Sequence, residues 1–123
     1  MMLRIIALAS AIVTAASLAV APIGTQEKSS ASIGAGATTC GEFANFYRSD
    51  TEIENYYLSW TQGYLSGLNF FVYERSDHFL NLKPAAFNVE DQKSFLRRYC
   101  ADNPLRYYEE AVIELIKQIK AQQ

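Results

Sequence analysis

Between Asn55 and Tyr73 the chain runs 19 residues without a charged side chain. Ile53, Tyr57, Trp60, Tyr64, Gly67, Leu68 and Phe71 recur there at spacings of three and four. On a helix they form one apolar stripe. Leu58, Leu65 and Val72, seven apart, add a second strip beside it. A helix apolar around more than half its circumference is normally surrounded by partners. The run is long enough to span a bilayer, but Asn55, Ser59, Gln62, Ser66 and Asn69 line up on its remaining face, and two glycines dilute it. Those features exclude a membrane span and predict a central core helix. Gly63 and Gly67 lie one turn apart. Each costs about 1 kcal/mol against alanine in a helix. The expected return is close approach of a neighbouring backbone beside Trp60 and Tyr64, so all four are expected as helix-packing residues.

Upstream, residues 1–19 read as a secretory signal peptide: Arg4 first, an apolar run from Ile5 to Val13, then small residues. Cleavage is expected after Ala19. Residues 20–38 are dominated by Gly, Ala, Ser and Thr and are expected to be a flexible tether with nothing to bury. The folded part is then 39–123, a single small domain. Every aromatic residue lies after Glu42, roughly one domain residue in five. A domain this short buries only about 60% of its unfolded surface, so it needs large side chains or a covalent staple. The two cysteines, Cys40 and Cys100, supply the staple: an isolated pair in an exported domain reads as a disulfide. The alternative, a redox or metal pair, is disfavoured, because there is no Cys-x-x-Cys and His78 is the sole histidine.

The remaining pattern is helical. Thr39-Cys40-Gly41-Glu42 is a capping box that opens a first helix with Phe43, Phe46 and Tyr47 on its buried face. A second box at Ser49–Glu52 opens the central helix, expected to end near Tyr73. Asn88 caps a third helix that turns Phe95, Leu96, Tyr99 and Cys100 inward and Arg97 outward. Asn103-Pro104 predicts the start of a fourth, burying Leu105, Tyr108, Val112, Leu115, Ile116 and Ile119. The expectation is therefore an all-α domain of about four helices closed by one disulfide.

Catalytic signals are sparse. No nucleophile elbow, phosphate-cradling loop or cluster with metal-ligand spacing occurs. Asp77 and His78 are adjacent in sequence, an arrangement that rarely orients a catalytic pair. Glu109 and Glu110 diverge by about 100° on a helix and form no carboxylate dyad. No cofactor and no enzyme activity is expected. With Arg4 removed, ten basic side chains face thirteen acidic ones, a balance of about −3 that argues against nucleic acid. Protein binding is better supported. The eight tyrosines exceed what a small core can hold, and Tyr107 projects from the fourth helix's buried stripe. The long connection from Glu74 to Asn88 carries Phe79, Leu80, Leu82 and Phe87, which either fold back on the core or meet a partner. Asp77, His78, Phe79, Phe87 and Tyr107 are the candidate partner-binding residues.

Four motifs, Cys-Gly-Glu-Phe, Trp-x-x-Gly-Tyr-x-x-Gly-x-Asn, Tyr-Cys-x-x-Asn-Pro and Glu-Glu-Ala-Val-x-x-Leu-Ile, span Cys40 to Ile116. They resemble small exported helical proteins of the Rap/Tai type, the immunity proteins of type VI secretion. The opening Thr-Cys-Gly-Glu-Phe and the two-cysteine layout also resemble the HdeA/HdeB acid-stress chaperones. The first resemblance implies a periplasmic inhibitor that neutralises a secreted cell-wall amidase by direct binding. The second implies an acid-activated holdase for unfolded clients. The matching positions are core and cap positions, so no inhibitory residue carries over. The wealth of aromatics departs from the chaperone pattern.

Overall fold

The computed structural model describes residues 32–123. The expected signal peptide and most of the expected tether lie outside the described residues. Those that are described form four α-helices and no strand: α1 (Cys40–Ser49), α2 (Thr51–Ser76), α3 (Val89–Asp102) and α4 (Tyr108–Lys120). Two short 3-10 turns, Gly34–Ala37 and Ala85–Phe87, complete the fold.

The helix starts follow local chemistry. Thr39 accepts from the Glu42 amide while the Glu42 carboxylate accepts from the Thr39 amide, closing a capping box. Asn88 and Asp91 do the same for α3. Asp50 caps α2 through the Glu52 amide. The fourth helix starts later than its Asn-Pro signal predicts. Asn103 closes α3, and α4 begins only at Tyr108. The carbonyls of Pro104 and Arg106 instead accept from the amides of Gly41 and Cys40, and the Tyr108 amide donates to Thr38. This pairing sets the turn at Asn103–Arg106 against residues 38–41 and leaves Leu105 91% exposed.

The core holds Cys40, Phe43, Tyr57, Leu65, Leu96, Cys100 and the inner face of α4, with Tyr108, Ala111, Val112, Leu115 and Ile119 essentially sealed. The Cys40–Cys100 disulfide ties the start of α1 to the end of α3 across a Cα–Cα distance of 4.6 Å. Arg97 does not point outward as expected. Its Nε and Nη2 donate to the buried Glu54 carboxylate at 2.5 and 2.6 Å, clamping α3 to α2. A pair with this bidentate geometry satisfies a carboxylate that would otherwise be costly to bury.

Helix α2 buries Glu54, Tyr57, Thr61, Leu65 and Asn69, a stripe rotated away from Gly67 and Phe71. Its partners lie on one side only, so Tyr56, Phe70 and Phe71 stay exposed. Trp60 and Tyr64 pack against the core as expected, their rings stacked at 5.3 Å. Gly63 and Gly67 do not: a Cβ on either would meet nothing within 4 Å. No backbone approaches them, and the packing role is withdrawn.

Close approach at a glycine occurs elsewhere, at a position assigned to the tether. The turn at Gly34–Ala37 buries Ala35 and Gly36 against α2 and α4. The Trp60 indole nitrogen donates to the Ile33 carbonyl at 2.8 Å. A Cβ on Gly36 would run into the six-membered ring of Trp60. The folded unit therefore begins by Ile33, not Thr39. The three glycines make one prediction. Gly36→Ala loses about 1–3 kcal/mol by overpacking a rigid ring. Gly63→Ala and Gly67→Ala each gain about 0.5–1 kcal/mol, because open helix sites favour alanine. Urea midpoints of the three variants test this, and a destabilised Gly67→Ala would restore a hidden contact at that face.

Candidate protein-docking surface

The last two turns of α2 outrun the core. Its final buried residue is Asn69, and seven residues of helix follow. Asp77 ends the helix with φ of 55°, in the left-handed region where glycine is usual, and its amide donates to the Tyr73 carbonyl. Aspartate tolerates that conformation better than most side chains. The reversal sends the chain back along α2. Asn69 catches it: its Oδ1 accepts from the Leu80 amide at 2.8 Å, and its Nδ2 donates to the Leu80 carbonyl at 2.9 Å. Asn69, expected on the polar face, is thus the buried anchor of the whole connection.

The reversal lays Phe79 flat on Tyr73, with centroids 4.3 Å apart and planes 7° from parallel. Phe70 meets the same ring edge-on at 5.4 Å. Arg75 sits over the Phe71 ring at 3.6 Å. Phe70, Phe71, Tyr73 and Phe79 are all between 40% and 64% exposed. Side chains of this type bring about 200 Å² each, so the three rings in contact, Phe70, Tyr73 and Phe79, offer on the order of 300 Å² of apolar surface. That is the size of the largest apolar patch on a typical monomer, which is often functional. Phe70, Tyr73 and Phe79 brace one another, so little side-chain freedom remains to be lost on binding.

The candidate residues separate. Phe79 lies at the centre of the ring cluster. Asp77 and His78 flank it, both exposed, and the Ser76 hydroxyl before them donates back to the Val72 carbonyl at 2.8 Å. Phe87 is withdrawn as a partner-binding residue. It is half-buried, packs against the core, and meets Phe95 edge-on at 6.5 Å. Leu80 and Leu82 also pack inward. Tyr107, 41% exposed, precedes α4 and pairs with Thr39. The opposite end of α4, about 20 Å away for a helix of this length, is where Gln123 bonds Asn81. Tyr107 therefore does not join the Phe79 cluster. Phe70, Phe71 and Tyr73 were missed as surface residues. The signal was there: Phe70-Phe71 is followed by Glu74-Arg75, and neighbours 100° apart cannot both face one core.

Among the described residues, no three His, Cys, Asp or Glu side chains come together as a metal site would need, and no helix is long and apolar enough to cross a membrane. Compared with protein-family models, curated proteins and solved structures, the chain matches none.

Proposed function

We propose that this chain is an exported, periplasmic protein-binding module of the immunity type, acting by covering its partner rather than by chemistry. The observation that carries the reading is the exposed, mutually braced ring cluster of Phe70, Tyr73 and Phe79 at the end of α2. Clustered aromatics of this kind are where binding energy concentrates at interfaces. The Rap/Tai resemblance supplies the partner class, a secreted cell-wall amidase, and occlusion of its active cleft supplies the mechanism. In the test, tagged protein captures a partner from periplasmic extract at about pH 7 and blocks that partner's peptidoglycan hydrolysis at a one-to-one ratio. Phe79→Ser weakens capture by at least about 30-fold, the scale of a binding hot spot, with helicity unchanged by circular dichroism. Equal capture by the variant would remove the cluster from the interface.

A second reading, an acid-activated holdase, draws on Glu42. Its hydrogen bonds from Thr39 hold the carboxyl below its ordinary value. A depressed carboxylate contributes stability that is present above its unfolded pKa and lost as pH falls through the folded one. Acid therefore loosens the start of α1. Many ordinary proteins expand in acid, so unfolding alone decides nothing. Protection of acid-denatured clients at about pH 2–3, together with no partner at neutral pH, would replace the first reading by the second.

A further inference from the structure

A cavity of about 220 Å³ lies between α2, the returning connection and the first turn of α3, away from the ring cluster. Leu65, Leu82 and Val89 give it apolar walls. Gln92, only 3% exposed, lines it as well. The Gln92 amide nitrogen is committed, donating to the carbonyls of Leu82 at 3.0 Å and Phe87 at 3.2 Å. Its amide oxygen takes no hydrogen bond among the described residues, yet no buried side-chain polar atom is left sealed without a partner. That oxygen therefore opens on the cavity, an acceptor without a donor. At the rim, Lys83 is exposed and makes no ion pair among the described residues. Ser66 donates its hydroxyl to the Gln62 carbonyl, which leaves its oxygen as a further acceptor at the wall.

The walls are held in place. Asn69 fixes Leu80, Gln92 fixes Leu82 and Phe87, and the Lys83 amide donates to Asn81 Oδ1 at 3.0 Å. The site is preformed, which lowers the cost of occupying it. Its volume equals about seven waters at ~30 Å³ each. That is below the range for drug-sized ligands and suits a single amino-acid-sized body.

We propose that this cavity binds the carboxy end of an acylated apolar amino acid. The ligand's amide N–H donates to the Gln92 amide oxygen. Its carboxylate meets the Lys83 ammonium, and its apolar side chain lies against Leu65, Leu82 and Val89. A simple fatty acid lacks the N–H and leaves Gln92 unsatisfied. An amine or a neutral amide leaves Lys83 without its counter-charge. The same chemistry is offered by a free N-acyl amino acid and by the last residue of a peptide.

The probe is N-acetyl-L-leucine, titrated into isotope-labelled protein and followed by backbone amide shifts. Saturable shifts confined to residues 62–66 and 82–92 are expected, at a dissociation constant of about 1 mM or tighter. N-acetyl-L-leucinamide and 4-methylpentanoate each bind at least about tenfold more weakly, as does the acid to Lys83→Met, a surface change that leaves circular dichroism unaltered. Ser66→Phe fills the cavity mouth and abolishes the shifts. A tetrapeptide ending in leucine that binds more tightly than N-acetyl-L-leucine assigns the site to polypeptide ends; weaker binding assigns it to the free acyl amino acid. No saturable shift up to about 20 mM, equal binding of the leucinamide, or undiminished binding to Lys83→Met would each overturn the proposal. The Phe79→Ser variant keeps this pocket, so its outcome and that of partner capture are separable.

Discussion

Replacing both Cys40 and Cys100 by alanine lowers stability by about 4 kcal/mol, the chain-entropy value for a bridge closing a loop of 60 residues. Both residues are fully buried, so alanine is the substitution to use; serine would add a buried hydroxyl and blur the result. For a domain of this size each kcal/mol moves the thermal midpoint by about 4–8 °C, so a fall of roughly 15–30 °C is expected. Native domains hold only about 5–15 kcal/mol in total, so the variant loses a large share of its stability. The structural reason is placement. The bridge joins the first turn of α1 to the end of α3, and all of α2 and the returning connection lie inside the closed loop. Thermal melts of the wild type with and without reductant give the same comparison without mutation. An unchanged midpoint under reduction would show that the loop closure contributes nothing.

Tyr108→Ala is expected to cost about 3–5 kcal/mol, the range for deleting a buried aromatic ring. Tyr108 is 1% exposed, and its ring meets Phe43 and Tyr57 at 4.8 Å and Trp60 at 6.2 Å. Its hydroxyl lies 3.0 Å from Thr61 Oγ1, which already donates its proton to the Tyr57 carbonyl. The tyrosine must then be the donor. Tyr57 repeats the arrangement toward Thr38, whose hydroxyl donates to Ala35. Tyr108→Phe keeps the ring and loses one hydrogen bond, about 1 kcal/mol. The pair of variants thus separates ring from hydroxyl.

The same two phenols set the alkaline limit. Burial pushes both above the ordinary tyrosine value, Tyr108 furthest. A raised folded pKa means that the contribution is fully present below about pH 10 and is lost as pH rises from there toward the folded value. In that window the unfolded chain releases protons that the folded one retains, so stability falls with pH. Denaturant midpoints between about pH 9 and 11.5 should fall in the wild type and fall less steeply in Tyr108→Phe. Identical slopes would mean that the Tyr108 phenol ionises as freely in the fold as in the unfolded chain.

What the sequence determined was local. Thr39 with Glu42, and Asn88 with Asp91, start helices within four residues of themselves, and their donors and acceptors belong to the same turn. The inner face of α4 from Tyr108 to Ile119 follows from helical spacing alone, and the cysteine pair from there being only two cysteines to join. What the tertiary structure decided was every question whose answer lay far along the chain. Ala35 and Gly36 are small and featureless in sequence. They become core because Trp60, far along the chain, needs the Ile33 carbonyl for its indole nitrogen and a glycine to lie against. Pro104 carries a helix-start signal, yet the backbone there makes only a single turn, because Cys40 and Gly41 take the carbonyls of Arg106 and Pro104. The glycines at 63 and 67 carry a packing signal, yet they face open space because the other helices pack on one side of α2. Phe79 and Phe87 look alike in sequence. Asn69 pins Leu80 beside Phe79, whose ring lies outward on Tyr73, while Gln92 holds the Phe87 carbonyl and that ring packs on the core. Apolar spacing says that a helix has a buried side. Which side it is depends on atoms that the spacing does not contain.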